Sequence, residues 1–547
     1  MSSRKASPLV EDAVTPVLPT QTSAIDEGSD LEHKSAALDT SADKQDVEEL
    51  AKPVDLKEQR KAKNSDFFTV LASGAALISD GYSNNVTTML NPLFTHRYGS
   101  RVFDSATSTR ISNSLLVGAI IGQVVVGIIC DRIGRKSAIV IATSLIVLGG
   151  IFATAASPVH GSTSALFWWI TVARGALGVG VGAEYPASST SASEAANERY
   201  GRKQRSTVFI LVTNFVLSLG GPLAVSYFLI VLSASGYNNT TTPGDQRNLD
   251  IVWRLCYGFG AILPLPVFYF RMKILNSKAY RVGAIRRNVP YGLALKRYWP
   301  RLLGTCGAWF LYDFVAFSNG AFSGTIISTV VDNPTLKRVG EYQLLLGAIA
   351  LPGALFGAFA VKPLGTKWLL CVGFTGYIII GLSVGLAWER IISKPALFVV
   401  LYALIASFGN FGPGSCLGLV SSDSYPTALR GTFYGISAAV GKAGAAVGTE
   451  VFKPVTDNLG KKYVFIIAAG IGAAGVLFSA LLIPDTTKFD LDSEDDRWRR
   501  YLLANGWNGE LGDGSTPTHK ASDVAALSDE DVSSEEGAVS KDDDVRR

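Results

Sequence analysis

The chain has 547 residues, 48% hydrophobic and only 18% charged, with a formal net charge of +4. Mean hydropathy is +0.26 even though both ends are very polar. That combination excludes an ordinary soluble domain and points to an all-α, polytopic membrane protein in contact with lipid, with no nucleic-acid partner expected.

In chain order, residues 1–65 come first, rich in Asp, Glu, Ser and Lys and poor in aromatics. Such a segment cannot bury enough apolar surface to offset ordering entropy, so a disordered tail is expected. Met1–Ala24 has no apolar stretch of the kind a signal peptide needs. Twelve mainly apolar runs follow, each close to the ~20 residues that cross a bilayer. They fall near 67–94, 111–130, 137–156, 165–187, 206–232, 251–271, 301–323, 341–361, 367–387, 396–420, 432–454 and 463–483. A basic connection at 273–300 divides an N-terminal six-helix bundle (66–272) from a C-terminal one (301–484), and 485–547 reads as a second disordered tail.

Lys and Arg set the orientation. One set of loops carries Arg132, Arg135 and Lys136, then Arg199, Arg202, Lys203 and Arg205, then the basic connection. The opposite loops are poorer, although Arg97, Arg101 and Arg110 run against the trend. Both termini are therefore expected in the cytoplasm, with the sequon Asn238-Asn239-Thr240 outside. The five cysteines form no CxxC pair, and all four histidines lie outside the predicted spans. No metal, cofactor or disulfide framework is expected, and with no catalytic constellation or nucleotide-cradling motif the chain does not read as an enzyme.

The two halves echo each other. Asp80 in GAALISDGYSNN (74–85) is matched 233 residues later by Asp313 in GAWFLYDFVAFSN (307–319). Gly122 corresponds to Gly353, and DRIGRK (131–136) to KPLGTK (362–367) at a spacing of 231. Glu184-Tyr185-Pro186 ends the fourth predicted span, and Ser424-Tyr425-Pro426 follows the tenth. Parallel six-helix repeats place a substrate site near the midplane, where the halves meet.

The run Gly127 to Lys136, with Asp131, Arg132, Gly134 and Arg135, resembles the loop motif of the major facilitator superfamily. A close-packing glycine beside a charge cluster at one mouth can latch one conformation and release another. RGALGVGVGAEYPASS (174–189), WFLYD (309–313) and NFGPGSCLGLVSSDSYPTALRGTFYGISAAVGKAGA (410–445) resemble the phosphate:proton symporter family within that superfamily. The likeness spans roughly 66–485 and implies the twelve-helix fold of two six-helix bundles, acting at the plasma membrane.

Within that family, inorganic phosphate carriers tend to place a second acid soon after the first. Here Asp80 is followed by GYSNN, and Gly414 stands where the carriers often have Asn. This pattern is similar to the fungal glycerophosphodiester permeases, which take up glycerophosphoinositol and glycerophosphocholine. The resemblance thus implies proton-coupled import of a glycerophosphodiester by a monomer. A phosphate:proton symporter and a non-transporting nutrient receptor are the alternatives. A sugar porter of the same fold would leave Lys442 without a purpose.

An ionisable residue at the bilayer centre costs about 2.5–3.5 kcal/mol and is a functional candidate by default. Asp80, Asp313 and Glu184 are candidates for proton coupling, since burial disfavours a charged carboxyl, and Asp313 is also a candidate for accepting hydrogen bonds from the substrate. Lys442, among Gly and Ala in the eleventh span, is the expected phosphate-binding cation. Arg174 is the second cation, expected in a structural or coupling role. Tyr185 is a phosphate hydrogen-bond donor by resemblance, or else an interfacial tyrosine. Trp309, one turn before Asp313, walls the pocket or packs. Gln123, Asn84, Asn319 and Asn410 offer amides to hydroxyl groups.

Overall fold

The computed structural model describes residues 70–71, 74–200, 202–238, 242–272, 277–330, 335–488, 491–512 and 519–520. All belong to the unit Ala62–Arg547. The expected N-terminal tail lies outside the described residues, as do Asn239 and Thr240 of the sequon and the chain beyond 520.

The helices are α1 (Leu77–Tyr98), α2 (Ser105–Arg132), α3 (Arg135–Thr154), α4 (Thr163–Arg199), α5 (Gln204–Ala234), α6 (Pro243–Tyr269), the short α7 (Lys278–Gly283), α8 (Tyr291–Val330), α9 (Leu336–Leu386), α10 (Pro395–Asp423), α11 (Arg430–Asn458), α12 (Lys462–Leu482) and α13 (Leu491–Ala504). Several begin on oxygen-bearing caps, which satisfy amides that a first helical turn leaves without partners. Asp104 accepts from the Thr107 amide at 2.8 Å, and Thr335 from Arg338 at 3.2 Å.

Among the described residues eight helices are long and apolar enough to cross a membrane. One of them, α9, is two limbs, because Gly365 (φ 76°, ψ 162°) breaks the helical path. The other long helices, α1, α8 and α11, fall outside those eight and carry the buried polar residues Asp80, Asp313 and Lys442. Together these make the twelve rods expected. Gly365 and Gly134 (φ 125°), 231 positions apart, both turn the chain at positive φ, so the sequence echo is a repeat of backbone shape.

Three boundaries differ from expectation. Glu184-Tyr185-Pro186 lies inside α4, which runs to Arg199, because the chain past the apolar run is buried in protein through Ala196. α8 starts at Tyr291, inside the supposed linker. The tail from 485 is structured over 491–512. Leu491, Glu494, Asp495, Trp498 and Leu502 recur at helical spacing and are buried, while the outer face is charged. Average polarity concealed that stripe. Trp498 packs on Tyr298 with ring centroids 5.7 Å apart, and Glu510–Leu511 pairs with His519–Lys520.

The two six-helix sets meet along α2 and α11, where small residues bring backbones together. A Cβ on Gly435 would stand 2.2 Å from the Gln123 carbonyl oxygen. At the end away from the charged loops, Ile327, Leu336 and Val339 join the apolar cluster of Met89, Leu93 and Phe228.

Candidate functional site

A cavity of about 280 Å³ lies between the two six-helix sets. α1, α4 and α5 line it with Asn84, Arg174, Tyr185 and Asn214. α8, α10 and α11 line it with Trp309, Asp313, Asn319, Asn410 and Lys442. Eight of the expected binding and coupling residues therefore share one space, and Asn214 joins them.

Lys442 is not a bare cation. Its Nζ donates to Asp313 Oδ2 at 2.8 Å, and both side chains are buried. The ammonium also sits 3.7 Å from the centroid of the Phe317 ring and 5.1 Å from that of Tyr185, a cation–π cradle. Asp313 Oδ1 accepts no hydrogen bond among the described residues, so one oxygen of the pair is open to a proton. Trp309 stands edge-on to Tyr434 at 5.4 Å, and Tyr434 donates to Ser189 at 2.9 Å, or accepts from it. Trp309 is thus both wall and packing residue.

The expected amides are held by backbone. Asn84 donates to the Asp80 carbonyl at 2.8 Å, Asn319 to Val315 at 3.0 Å and Asn410 to Ala350 at 3.1 Å. Each fixes its nitrogen and turns its oxygen elsewhere. Asn214 and Asn410 lie in the π-helical turns Leu211–Phe215 and Asn410–Gly414. Asn214 bonds the Asn410 carbonyl and Ser415 Oγ, both at 3.2 Å, so the widened turns touch across the two halves. Sequence reasoning missed Asn214; nothing in its apolar surroundings marks a π-turn.

Three expected residues do not line the cavity. Asp80 is buried beside it, within electrostatic reach of Tyr185 and Lys442. Glu184 is buried and bonded to Ser188 one turn on. Gln123 is buried against α11, and its amide makes no hydrogen bond among the described residues.

The charged end is closed by a second cluster. Arg135 reaches Asp131 (2.9 Å) and Glu194 (2.7 Å), and Arg430 reaches Glu194 (3.1 Å). Arg205 pairs with Asp423 at 2.7 Å. Asp131 accepts from the amides of Gly431 (2.9 Å) and Thr432 (2.6 Å) at the start of α11, a favourable seat for an anion. Arg135 also donates to the Thr427 carbonyl at 3.1 Å. The six side chains carry three positive and three negative charges, and every pair but Arg135–Asp131 and Arg135–Glu194 bridges the halves.

Asp131, Gly134 and Arg135 were expected here, and Gly127 packs against Gly431. Arg132 and Lys136 are not part of the ionic cluster: Arg132 is exposed and Lys136 half-buried. Sequence reasoning missed Glu194, Arg205, Asp423 and Arg430. Of these only Arg205 is read from the sequence, as a topological charge; the signal for all four is an acid or base near the end of a long helix.

The family described as "Sugar (and other) transporter" matches residues 67–290 and 285–498. Glycerophosphoinositol permease 1 of Candida albicans is 49% identical over 83% of this chain and 86% of its own length. Glycerophosphoinositol transporter 1 of Saccharomyces cerevisiae is 45% identical over 86% and 88%. A probable inorganic phosphate transporter (1-12) of Oryza sativa is more distant, at 26% over 77% and 90%. Among solved structures, the proton:xylose symporter XylE superposes with a TM-score of 0.64 at 16% identity, covering 80% of this chain and 99% of that one. The E. coli fucose:proton symporter FucP gives 0.56 at 15%, covering 76% and 98%.

Proposed function

The chain belongs to the sugar (and other) transporter family of the major facilitator superfamily, and from that premise we propose that it imports glycerophosphodiesters together with protons. The observation that carries this reading is the buried Lys442–Asp313 pair on the wall of a cavity between two six-helix halves. The names of the two relatives at 45–49% identity support the substrate class.

The pair has a simple coupling logic. With Asp313 ionised, Lys442 is compensated and offers an anion little. Protonating Asp313 leaves the ammonium uncompensated, and a phosphodiester then supplies the missing negative charge. Tyr185 and Trp309 border that position, and Asn84 and Asn410 face the remainder with amide oxygens suited to hydroxyl groups, while the Asn319 oxygen accepts from Tyr402. Asp80 adds a second carboxylate beside Lys442 and Tyr185. Glu184 serves as a relay on the same helix as Tyr185. Gln123 acts through α2–α11 packing rather than by touching substrate.

Transport proceeds by rocking of the two halves. The ionic cluster around Arg135 and Glu194 closes one mouth and the Ile327–Leu336–Val339 seal the other. The ionic mouth faces the cytoplasm, as do both termini, in the plasma membrane, and the monomer is the working unit.

Purified protein in liposomes with an imposed pH gradient tests this. Labelled glycerophosphoinositol accumulates with the gradient, and excess inorganic phosphate competes weakly. Full competition at equal affinity would make phosphate the substrate, and binding without accumulation would make the protein a receptor.

A further inference from the structure

Resting on the phosphodiester reading above, in which the anion sits at Lys442, we propose that Gln343 of α9 is a specificity-determining residue. Its amide oxygen accepts a hydrogen bond from a hydroxyl of an alcohol esterified to the phosphate. Gln343 is 6% exposed and lines the cavity. Its Nε2 donates to Oγ of Ser323 on α8, a second lining residue. The Ser323 hydroxyl gives its own proton to the Gly320 carbonyl at 2.7 Å, so its oxygen accepts from Gln343. That fixes the amide's orientation, with the nitrogen toward α8 and the oxygen away from it. Gln343 Oε1 is buried and takes no hydrogen bond among the described residues.

A buried acceptor without a donor is an exception in a folded protein, and in the wall of a transport cavity the donor it lacks is the cargo. Asn319, the amide expected on this stretch of α8, cannot take that part. Its nitrogen donates to Val315 at 3.0 Å and its oxygen accepts from Tyr402 at 3.4 Å. Position fits as well. Ser323 stands six positions beyond Phe317, whose ring centroid is 3.7 Å from the Lys442 ammonium, and six positions are about 9 Å of helix. The Gln343 amide therefore lies past the phosphate position, toward the Ile327–Leu336–Val339 seal, where an alcohol esterified to the phosphate extends. The next lining residues on α9 are the apolar Leu346 and Gly347, and a Cβ on Gly347 would stand 3.1 Å from Pro222 Cγ. In such surroundings an unmet acceptor favours a ligand that brings a hydroxyl. The hydroxyls of glycerol and of an inositol ring both qualify; the trimethylammonium of choline does not.

The test is equilibrium binding of glycerophosphoinositol, glycerophosphocholine and inorganic phosphate to full-length wild type and Gln343→Met, which keeps the side chain's length without its amide. Both diesters carry glycerol, one adds a polyol head group, and phosphate carries no alcohol. Gln343→Met is expected to weaken glycerophosphoinositol by at least about tenfold and to leave phosphate unchanged. Loss confined to glycerophosphoinositol makes the polyol head group the hydroxyl donor, and an equal loss for glycerophosphocholine makes it the shared glycerol. Ser323→Ala, which frees the amide without removing it, is expected to shift the same ligands in the same direction by a smaller factor. Unchanged affinity for both diesters, a loss for glycerophosphocholine alone, or a loss for phosphate matching that of the diesters overturns the proposal. Thermal unfolding of each variant establishes that it is folded before binding is compared. Should Gln343→Met not fold, the Ser323→Ala pattern decides by the same criteria. Failure of wild type to bind either diester would instead overturn the functional reading itself.

Discussion

Lys442 Nζ lies 2.8 Å from Asp313 Oδ2 where α11 packs on α8, and both side chains are buried. Removing one partner of such a pair leaves an uncompensated charge and typically costs about 3–5 kcal/mol. Asp313→Asn and Lys442→Gln should each lower the unfolding temperature, and the double variant should lie closer to wild type than their sum. Additive losses would mean the contact contributes nothing.

The same pair makes a transport prediction. Asp313→Asn should abolish pH-driven accumulation in liposomes while substrate exchange persists. Lys442→Ala should raise the apparent KM by about tenfold, as expected for a charged contact worth roughly 1.5–3 kcal/mol. Normal accumulation in the first variant, or an unchanged KM in the second, would remove that residue from the mechanism.

Glu194 holds two arginines from different halves, Arg135 at 2.7 Å and Arg430 at 3.1 Å. Glu194→Gln should loosen the ionic mouth and raise the labelling rate of a cysteine placed at Ser422, which is buried beside Arg430. Slow uptake with near-normal substrate binding should accompany it. Equal labelling in variant and parent would count against this latch.

Gly435 approaches α2 so closely that a side chain would meet the Gln123 carbonyl at 2.2 Å. Gly435→Val should hold α2 and α11 apart and trap a state open at the ionic end. A cysteine placed at Ser422, buried in this state, should then be labelled faster in the variant than in its parent, and equal labelling would count against the contact.

Asp485 accepts hydrogen bonds from Thr366 and Thr487 beside the positive-φ Gly365. Burial pushes its carboxyl up, but the bonds from Thr487 and Thr366 outweigh it and leave the group below the usual range. Because the folded-state value is depressed, this stabilisation is complete above the ordinary aspartate range near 3.9 and is lost as pH falls through the folded-state value. Asp485→Asn should lower the unfolding temperature at neutral pH and flatten its fall in strong acid. An unaltered acid profile would dissociate Asp485 from that fall.

Much of this was legible in the chain, for physical reasons. A bilayer demands long apolar runs, so twelve rods could be counted. Acids and a lysine inside such runs are costly, so Asp80, Asp313, Glu184 and Lys442 stood out one by one. The spacing of 231 between Gly134 and Gly365 returned as two positive-φ turns. Helix ends were less legible, since α4 is buried in protein beyond its apolar run and α8 begins with a polar stretch that buries only Ala294 and Tyr298. α13 was hidden because its charged face outweighs its apolar stripe in any average.

The sequence by itself determined the membrane-spanning class, the two-fold repeat and the identity of the costly charges, because these depend on local composition and on spacing along the chain. Only the tertiary structure decided which charges answer one another. Lys442 and Asp313 are 129 positions apart and Glu194 and Arg430 are 236 apart, yet each pair is within hydrogen-bonding distance. Asp80 and Glu184, equally conspicuous in the sequence, fall outside the cavity lining, while Arg174 lies on it with no carboxylate ion-paired to it among the described residues. Charge compensation is a property of neighbours in space. Packing of the two halves chose those neighbours, and no period along the chain encodes that choice.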